Sequence, residues 1–258
     1  MISGWVLNNS AHSEINVRKD FNWSLLDRYN LYSMLHCLGK DIVGKKIPVK
    51  DLQKQLSTHI KAHLPVKVVR KQNDHKQKRG LIYMGGTYYS EYDAYGYTRF
   101  IEVVLSYHPL DEAVKITEYR WNRLCSLFAD TILHELIHMR QYRSRGFKTI
   151  PGYESTAYLH KQRVDQEYYG HRDEMGAFAF NVACDMIDKF GPNYYAIQHY
   201  MDSMKPKQHT KSTYHKYLNS FDWNHNHKIV RRMKKKILCQ LENAYIGKPF
   251  KTTNHLTY

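Results

Sequence analysis

His134-Glu135-Leu136-Ile137-His138 is the stretch of this 258-residue chain whose side chains could do chemistry. On a helix, residues four apart share a face with Cβ atoms about 5–6 Å apart. Both imidazoles can then reach one cation at about 2.0–2.1 Å. Glu135 sits one step round the helix from His134. From there its carboxylate can take a proton from a water activated by the metal without binding the metal itself, which is the work of a general base. The chain is rich in histidine, with 16 in all, so the string gains weight only from its surroundings.

Those surroundings read as one long helix from Arg120 to Gly146. Trp121, Leu124, Leu127, Phe128, Ile132, Leu133, Leu136 and Ile137 recur at three- and four-residue spacings and cover more than one stripe, which predicts a largely buried helix. Arg140, Arg143 and Arg145 suit its C-terminal end, and Gly146 is a C′ stop. A catalytic metal site also needs a third protein ligand. Downstream, Tyr168-Tyr169-Gly170-His171-Arg172-Asp173-Glu174 leads into a run of small and apolar residues through Ile187, read as a second buried helix. A carboxylate at its start is costly in a dry core unless paired or metal-bound. Glu174 is therefore the chosen third ligand, with His171 and Asp173 in reserve. Ala177 and Asn181 share its face, where small residues let the two helices approach. Tyr168, Tyr169 and His171 are candidates to donate a hydrogen bond to a developing oxyanion, with Tyr169 the preferred one.

The motif pair resembles the zincin metallopeptidases, in the gluzincin arrangement of H-E-x-x-H with a downstream Glu on a second helix. The likeness covers residues about 81 to 190. It implies that His134, His138 and Glu174 hold Zn²⁺ and that Glu135 is the general base of peptide-bond hydrolysis. Gly85-Gly86-Thr87-Tyr88-Tyr89, then Phe100 to Ser106, then the long helix, is similar to the SprT-like order. In zincins the strand before that helix lies at the sheet edge and pairs with an extended substrate, a role that falls here to Ile101–Leu105. SprT-like proteins take their third ligand from a His soon after the helix, and Arg145-Gly146-Phe147-Lys148 offers none. Gln141 and the Glu174–Ala177 segment also give a loose likeness to small metallopeptidases of tailed bacteriophages. The implied fold is α+β: a zincin-like metallopeptidase fold with a small mixed sheet and active-site helices over 65–192. Helical extensions over 1–64 and 193–258 would flank it.

The elements around the motif fit that class. Trp23 to Leu38 and Val49 to His63 read as helices, the second stopped by Pro65. Val66 to Arg70 reads as a strand. Leu81 to Met84, Thr87 to Tyr92 and Arg99 to Tyr107 read as strands of a meander, broken at Gly85-Gly86 and near Gly96. Residues 1 to about 21 are polar and read as an arm, Pro151 to Gly170 as a loop with some helix, and His227 to Tyr245 as a helix.

The balance of 39 Lys+Arg against 24 Asp+Glu gives +15 and favours anionic surroundings. Residues 205–238 carry the basic run Arg231-Arg232-Met233-Lys234-Lys235-Lys236, which could grip nucleic acid or an acidic partner. The 22 tyrosines suit interfaces as well as core. Cys37, Cys125, Cys184 and Cys239 lie far apart with no C-x-x-C pair. That argues against a cysteine zinc site and for a reducing, cytoplasmic site of synthesis. Met1 to Glu14 lacks the pattern of a signal peptide, and no run of 18 apolar residues suggests a membrane span. Two readings compete with the peptidase acting on a protein or peptide substrate. One is a structural or assembly component of a phage virion that keeps the zincin fold. The other is a basic nucleic-acid-binding protein.

Overall fold

A computed structural model describes residues 25–61, 63–73, 78–150, 161–191, 193–206 and 212–245. The expected N-terminal arm lies outside them. The chain runs α1 (Leu25–His36), α2 (Gly39–Ile42), β1 (Lys46–Pro48), α3 (Val49–Lys61), β2 (Val66–Gln72), β3 (Ile82–Tyr88), α4 (Ser90–Ala94), β4 (Ile101–Tyr107) and β5 (Ala113–Lys115). Then come α5 (Glu118–Ser144), α6 (Lys161–Gly170), α7 (Arg172–Phe190), α8 (Tyr194–Ser203), α9 (Thr213–Ser220) and α10 (Lys228–Tyr245). Helices segregated from small sheets make this an α+β arrangement. None of the described helices is long and apolar enough to cross a membrane.

The larger sheet has three strands in the order β2-β4-β3, with β2 parallel and β3 antiparallel to β4. Strand β4 alternates cleanly: Ile101, Val103, Leu105 and Tyr107 are buried on one face, while Glu102, Val104 and Ser106 are half-buried on the other. This order corrects two expectations. Ile101–Leu105 lies at the sheet centre, hydrogen-bonded on both sides, so it has no free edge for a substrate; β3 is the edge strand on that side. Moreover, Gly85-Gly86 does not break the chain: one strand passes through both glycines, and Ser90–Ala94 is helical. A strand glycine often marks a close approach by other parts of the fold, and α5 makes that approach here.

Two apolar cores share α7. The first joins Leu31, Leu35, Leu52, Leu56 and Ile60 of α1 and α3 to the sheet and to Trp121, Phe128, Ile132 and Leu136 of α5, with Phe180 and Cys184 from α7. The second joins Met175, Ala179, Val182 and Met186 of α7 to Ile197 and Met201 of α8, Tyr214 and Leu218 of α9, and Val230, Met233, Ile237 and Leu241 of α10. Neither expected boundary, at 64/65 or at 192/193, separates one core from another. The N-terminal helices complete the sheet's core, and the C-terminal helices cover the far face of α7.

A candidate metal centre between two helices

Thr117 caps α5 by accepting a hydrogen bond from the Arg120 backbone N–H. The helix then runs 27 residues, which carries its middle beneath the sheet. Apolar side chains on most sides fix its rotation, and His134, Glu135 and His138 end up buried at 8 %, 6 % and 8 % exposure. Gly146, at φ +62°, ends the helix just past the Arg145 cap. The two arginines before it are tied down. Arg143 grips Asp93 at 2.5 and 2.7 Å, and Arg145 grips Asp173 at 2.6 and 3.0 Å.

Helix α7 brings the carboxylate. Glu174 lies in its first turn, where the helix dipole favours negative charge. Its Oε2 stands 3.4 Å from His134 Nε2 and its Oε1 3.5 Å from His138 Nε2. One donor atom from each of the three residues falls within a 4.8 Å cluster. A tetrahedral ion with bonds of 2.0–2.1 Å holds its ligand atoms about 3.3 Å apart. Each carboxylate–imidazole separation is close to that, though to a different oxygen, and the set with one atom per residue spreads up to 4.8 Å, so binding draws the three donors together. Glu174 Oε2 is buried without a hydrogen-bond partner and faces the imidazoles. A cation would satisfy that atom.

The far side of each imidazole is also furnished. His138 Nδ1 lies 2.9 Å from Gln141 Oε1, which accepts its proton and leaves Nε2 facing Glu174. Gln141 is held in turn by its Nε2, which donates to the Asp173 carbonyl at 3.0 Å. Gly176 leaves the room: a Cβ there would sit 2.7 Å from that same Nε2. His134 Nδ1 lies 3.5 Å from Asn181 Nδ2, while Asn181 Oδ1 is buried without a partner. A half-turn of the amide brings Oδ1 to accept from Nδ1–H and frees His134 Nε2 for a cation.

The charges answer to one another. Burial disfavours the His138 cation, but the Glu174 carboxylate beside it outweighs burial and raises the imidazole pKa. Burial likewise pushes Glu174 upward, yet the facing imidazoles of His134 and His138 hold it well below the usual carboxylate range. A cation bound here would compete with a proton for His138 Nε2. Glu135 differs. Burial raises its pKa, opposed by the two imidazoles and by a hydrogen bond from the Tyr88 backbone N–H.

That hydrogen bond places Glu135 against strand β3. Tyr89 N–H donates to the Phe100 carbonyl, so in the antiparallel alternation Met84, Gly86 and Tyr88 turn their backbone groups away from β4. Tyr88 N–H faces Glu135 on that edge, which pairs with no further strand among the described residues. Gly86 passes so close that a Cβ on it would fall 2.6 Å from Glu135 Oε1 and 2.7 Å from Thr131 Cγ2. The cleft between edge and helices, about 290 Å³, is lined by Gly86, Thr87, Tyr88, Tyr142, Thr149, Ile150, Tyr168, His171 and Asp173 around the four central residues.

The structure therefore brings together His134, Glu135, His138 and Glu174. Asp173, a reserve ligand, is committed to Arg145, and His171 serves as the residue before α7 at the cleft wall. Tyr169, the preferred oxyanion donor, is not among the cleft residues. Its ring packs on Phe178 and Tyr217 and its carbonyl accepts from the Tyr217 hydroxyl, whereas neighbouring Tyr168 lines the cleft. Gly86 and Tyr88 were missed as site residues; the paired glycines inside a strand-like segment were their only signal. No protein-family model, no curated protein and no solved structure matches this chain.

Proposed function

We propose that the chain is a zinc-dependent peptidase of zincin-like design, with Glu135 as the general base. The observation that carries this reading is the convergence of His134, His138 and Glu174 beside the edge of β3, unpaired among the described residues, with the Glu135 carboxylate between the two. Two imidazoles and one carboxylate suit Zn²⁺ and leave a coordination position open. When bound, such an ion lowers the pKa of water to about 7 and polarises a carbonyl.

The chain's own residues supply the rest. An extended peptide laid along β3 pairs with the outward backbone groups of Met84 and Gly86, which fixes its carbonyl beside Glu135. Burial makes Glu135 a stronger base than an exposed carboxylate, so it accepts a water proton and then delivers it to the departing amine nitrogen. The Tyr88 N–H holds the Glu135 carboxylate in line throughout. Gln141, and Asn181 with its amide turned so that Oδ1 faces Nδ1, keep both imidazoles in the tautomer that exposes Nε2.

Two measurements test the reading together. Metal analysis of purified protein should find about one zinc per chain, and Glu174→Ala should lose it. The zinc-loaded protein should degrade an unfolded protein substrate, and chelation should abolish that turnover. Stoichiometric zinc without turnover would remove the peptidase assignment and leave a structural metal site.

The Gly86 contact gives a subtler prediction. Gly86→Ala must displace Glu135, because the Thr131 methyl on the other side belongs to a helix that cannot retreat. Turnover is expected to fall about 100-fold, the cost of misplacing a catalytic group by about 1 Å. Zinc content should not change, since the atoms nearest a Cβ at Gly86 belong to Glu135 and Thr131 and not to either imidazole. Unaltered kinetics in a well-folded Gly86→Ala variant would show that Glu135 need not occupy its present position.

A further inference from the structure

We propose that α10 is a docking helix for the phosphate backbone of duplex DNA, a function separate from the metal centre. Val230, Met233, Ile237 and Leu241 are fully buried and lock one side of α10 into the second core. The opposite side carries Lys228, Arg231, Arg232, Lys235 and Lys236, all exposed. At 3.6 residues per turn these five cations span an arc of about 140° and a length of about 12 Å. Lys234, at the border of the arc, pairs with Asp202 of α8. None of the five makes an ion pair with a described acidic side chain.

This arrangement runs against the helix's own electrostatics. Lys228 and Arg232, Arg231 and Lys235, and Arg232 and Lys236 are like-charge pairs at four-residue spacing, each destabilising. The cations also crowd the N-terminal half, where the helix dipole is already positive, while Glu242 stands near the opposite end. The ordinary explanation of a charged stripe, a solvated face, would favour mixed signs in the reverse order. A polyanion along the arc relieves every one of these repulsions.

The chemistry narrows the polyanion. Cations reach both flanks of the arc, Arg231 on one side and Lys236 on the other, as two facing phosphate strands require. A helix with its side chains is about 10–12 Å across, and the major groove of B-form DNA is about 12 Å wide. Duplex RNA has a deep, narrow major groove that such a helix does not enter. Single strands are held by stacking successive bases on aromatic rings; among the described residues the arc itself carries none, and the groove beside Arg231 and Lys235 offers a single tyrosine, Tyr194 of α8. A lipid surface would need an apolar face to insert, and the apolar stripe of α10 is occupied by the core. The side chains on the arc recognise phosphate, so binding is expected to be indifferent to sequence.

Fluorescence anisotropy with the full chain and a 20-base-pair DNA duplex, over a series of salt concentrations, tests this. Five phosphate contacts give a slope of log affinity against log salt of about −4.5, and the double variant Arg232→Gln/Lys235→Gln should make it shallower by about 2. That variant should melt no lower than the parent, because it relieves like-charge contacts. The same charge change on exposed residues of α3, Lys50→Gln/Lys54→Gln, should leave the slope alone. Chelating the metal should change nothing, which separates this result from the fate of the peptidase reading. The proposal is overturned by absence of duplex binding at 50 mM salt or by an equal loss in the α3 variant. It is equally overturned if single-stranded DNA, duplex RNA or phosphatidylserine vesicles bind as tightly.

Discussion

Glu135→Gln should retain its zinc and lose hydrolysis by about 10²–10⁴-fold, the contribution of a positioned general base. The substitution keeps the shape of the side chain. Its remaining carbonyl oxygen can still accept from the Tyr88 N–H and still fits against Gly86, so the strand edge and the metal ligands stay where they are. What disappears is the ability to take a proton. Glu174→Gln should behave oppositely: it removes the charge that faces both imidazoles, so the metal is lost first and activity follows. Side-by-side zinc analysis and kcat/KM on a quenched peptide separate the two roles. If Glu135→Gln hydrolyses at the parental rate, or sheds zinc as readily as Glu174→Gln, Glu135 is not the base.

The convergence of these residues could be read from the sequence because it follows from local rules. Spacing of four put His134 and His138 on one helix face, and an apolar surround on nearly every side predicted that the face would be buried. Glu174 stood out as a carboxylate opening a run of alanines and other small residues. Long-range pairing was harder. Nothing within Ile101–Leu105 announces that strands lie on both sides of it, since a buried central strand and a half-covered edge strand can share the same alternation. Glycines at 85 and 86 look like a break until the approach of α5 explains them. Tyr168 and Tyr169 differ by one residue, which is 100° on a helix: enough to put one ring in the cleft and the other against the second core. The composition shift after Gly191-Pro192 resembled a domain boundary, yet the apolar far face of α7 needs α8, α9 and α10 to cover it.

Arg28 was passed over in the sequence, as any single arginine on an amphipathic helix would be, yet its loss should be the most damaging to stability. It is 6 % exposed and ties three helices together. Its Nε donates to Asp130 Oδ1 at 2.6 Å and its Nη2 reaches Asp188 Oδ2 at 2.8 Å. Asp130 lies one turn before His134 on α5, and Asp188 is on α7, so the same guanidinium braces both helices of the candidate metal centre. Burial disfavours its charge, but the two carboxylates overcome this and raise its pKa. Asp130, pushed up by burial, is pulled back by Arg28. Asp185 sits nearby, raised to about 6 by burial and by Asp130.

Arg28→Met would leave these carboxylates buried together with no countercharge, a loss of about 3–5 kcal/mol for breaking one side of a buried pair. Asp188 is 45 % exposed and can turn to water, so most of the loss falls on Asp130 and Asp185. The pH dependence follows from the sign of the shifts. A carboxyl whose folded pKa is raised favours folding while protonated and loses that favour as pH rises from its unfolded value, 3.8 for Asp185, through about 6. Removing Arg28 raises the folded values further, so the decline extends to higher pH in the variant than in the parent. The stability gap measured by urea unfolding should therefore be smallest near pH 5 and largest near pH 8. Arg28→Lys should recover only part of it, because a point charge cannot serve two carboxylates as a planar fork does. A gap that stays constant from pH 5 to pH 8 would mean that Arg28 acts through packing of its aliphatic stem instead.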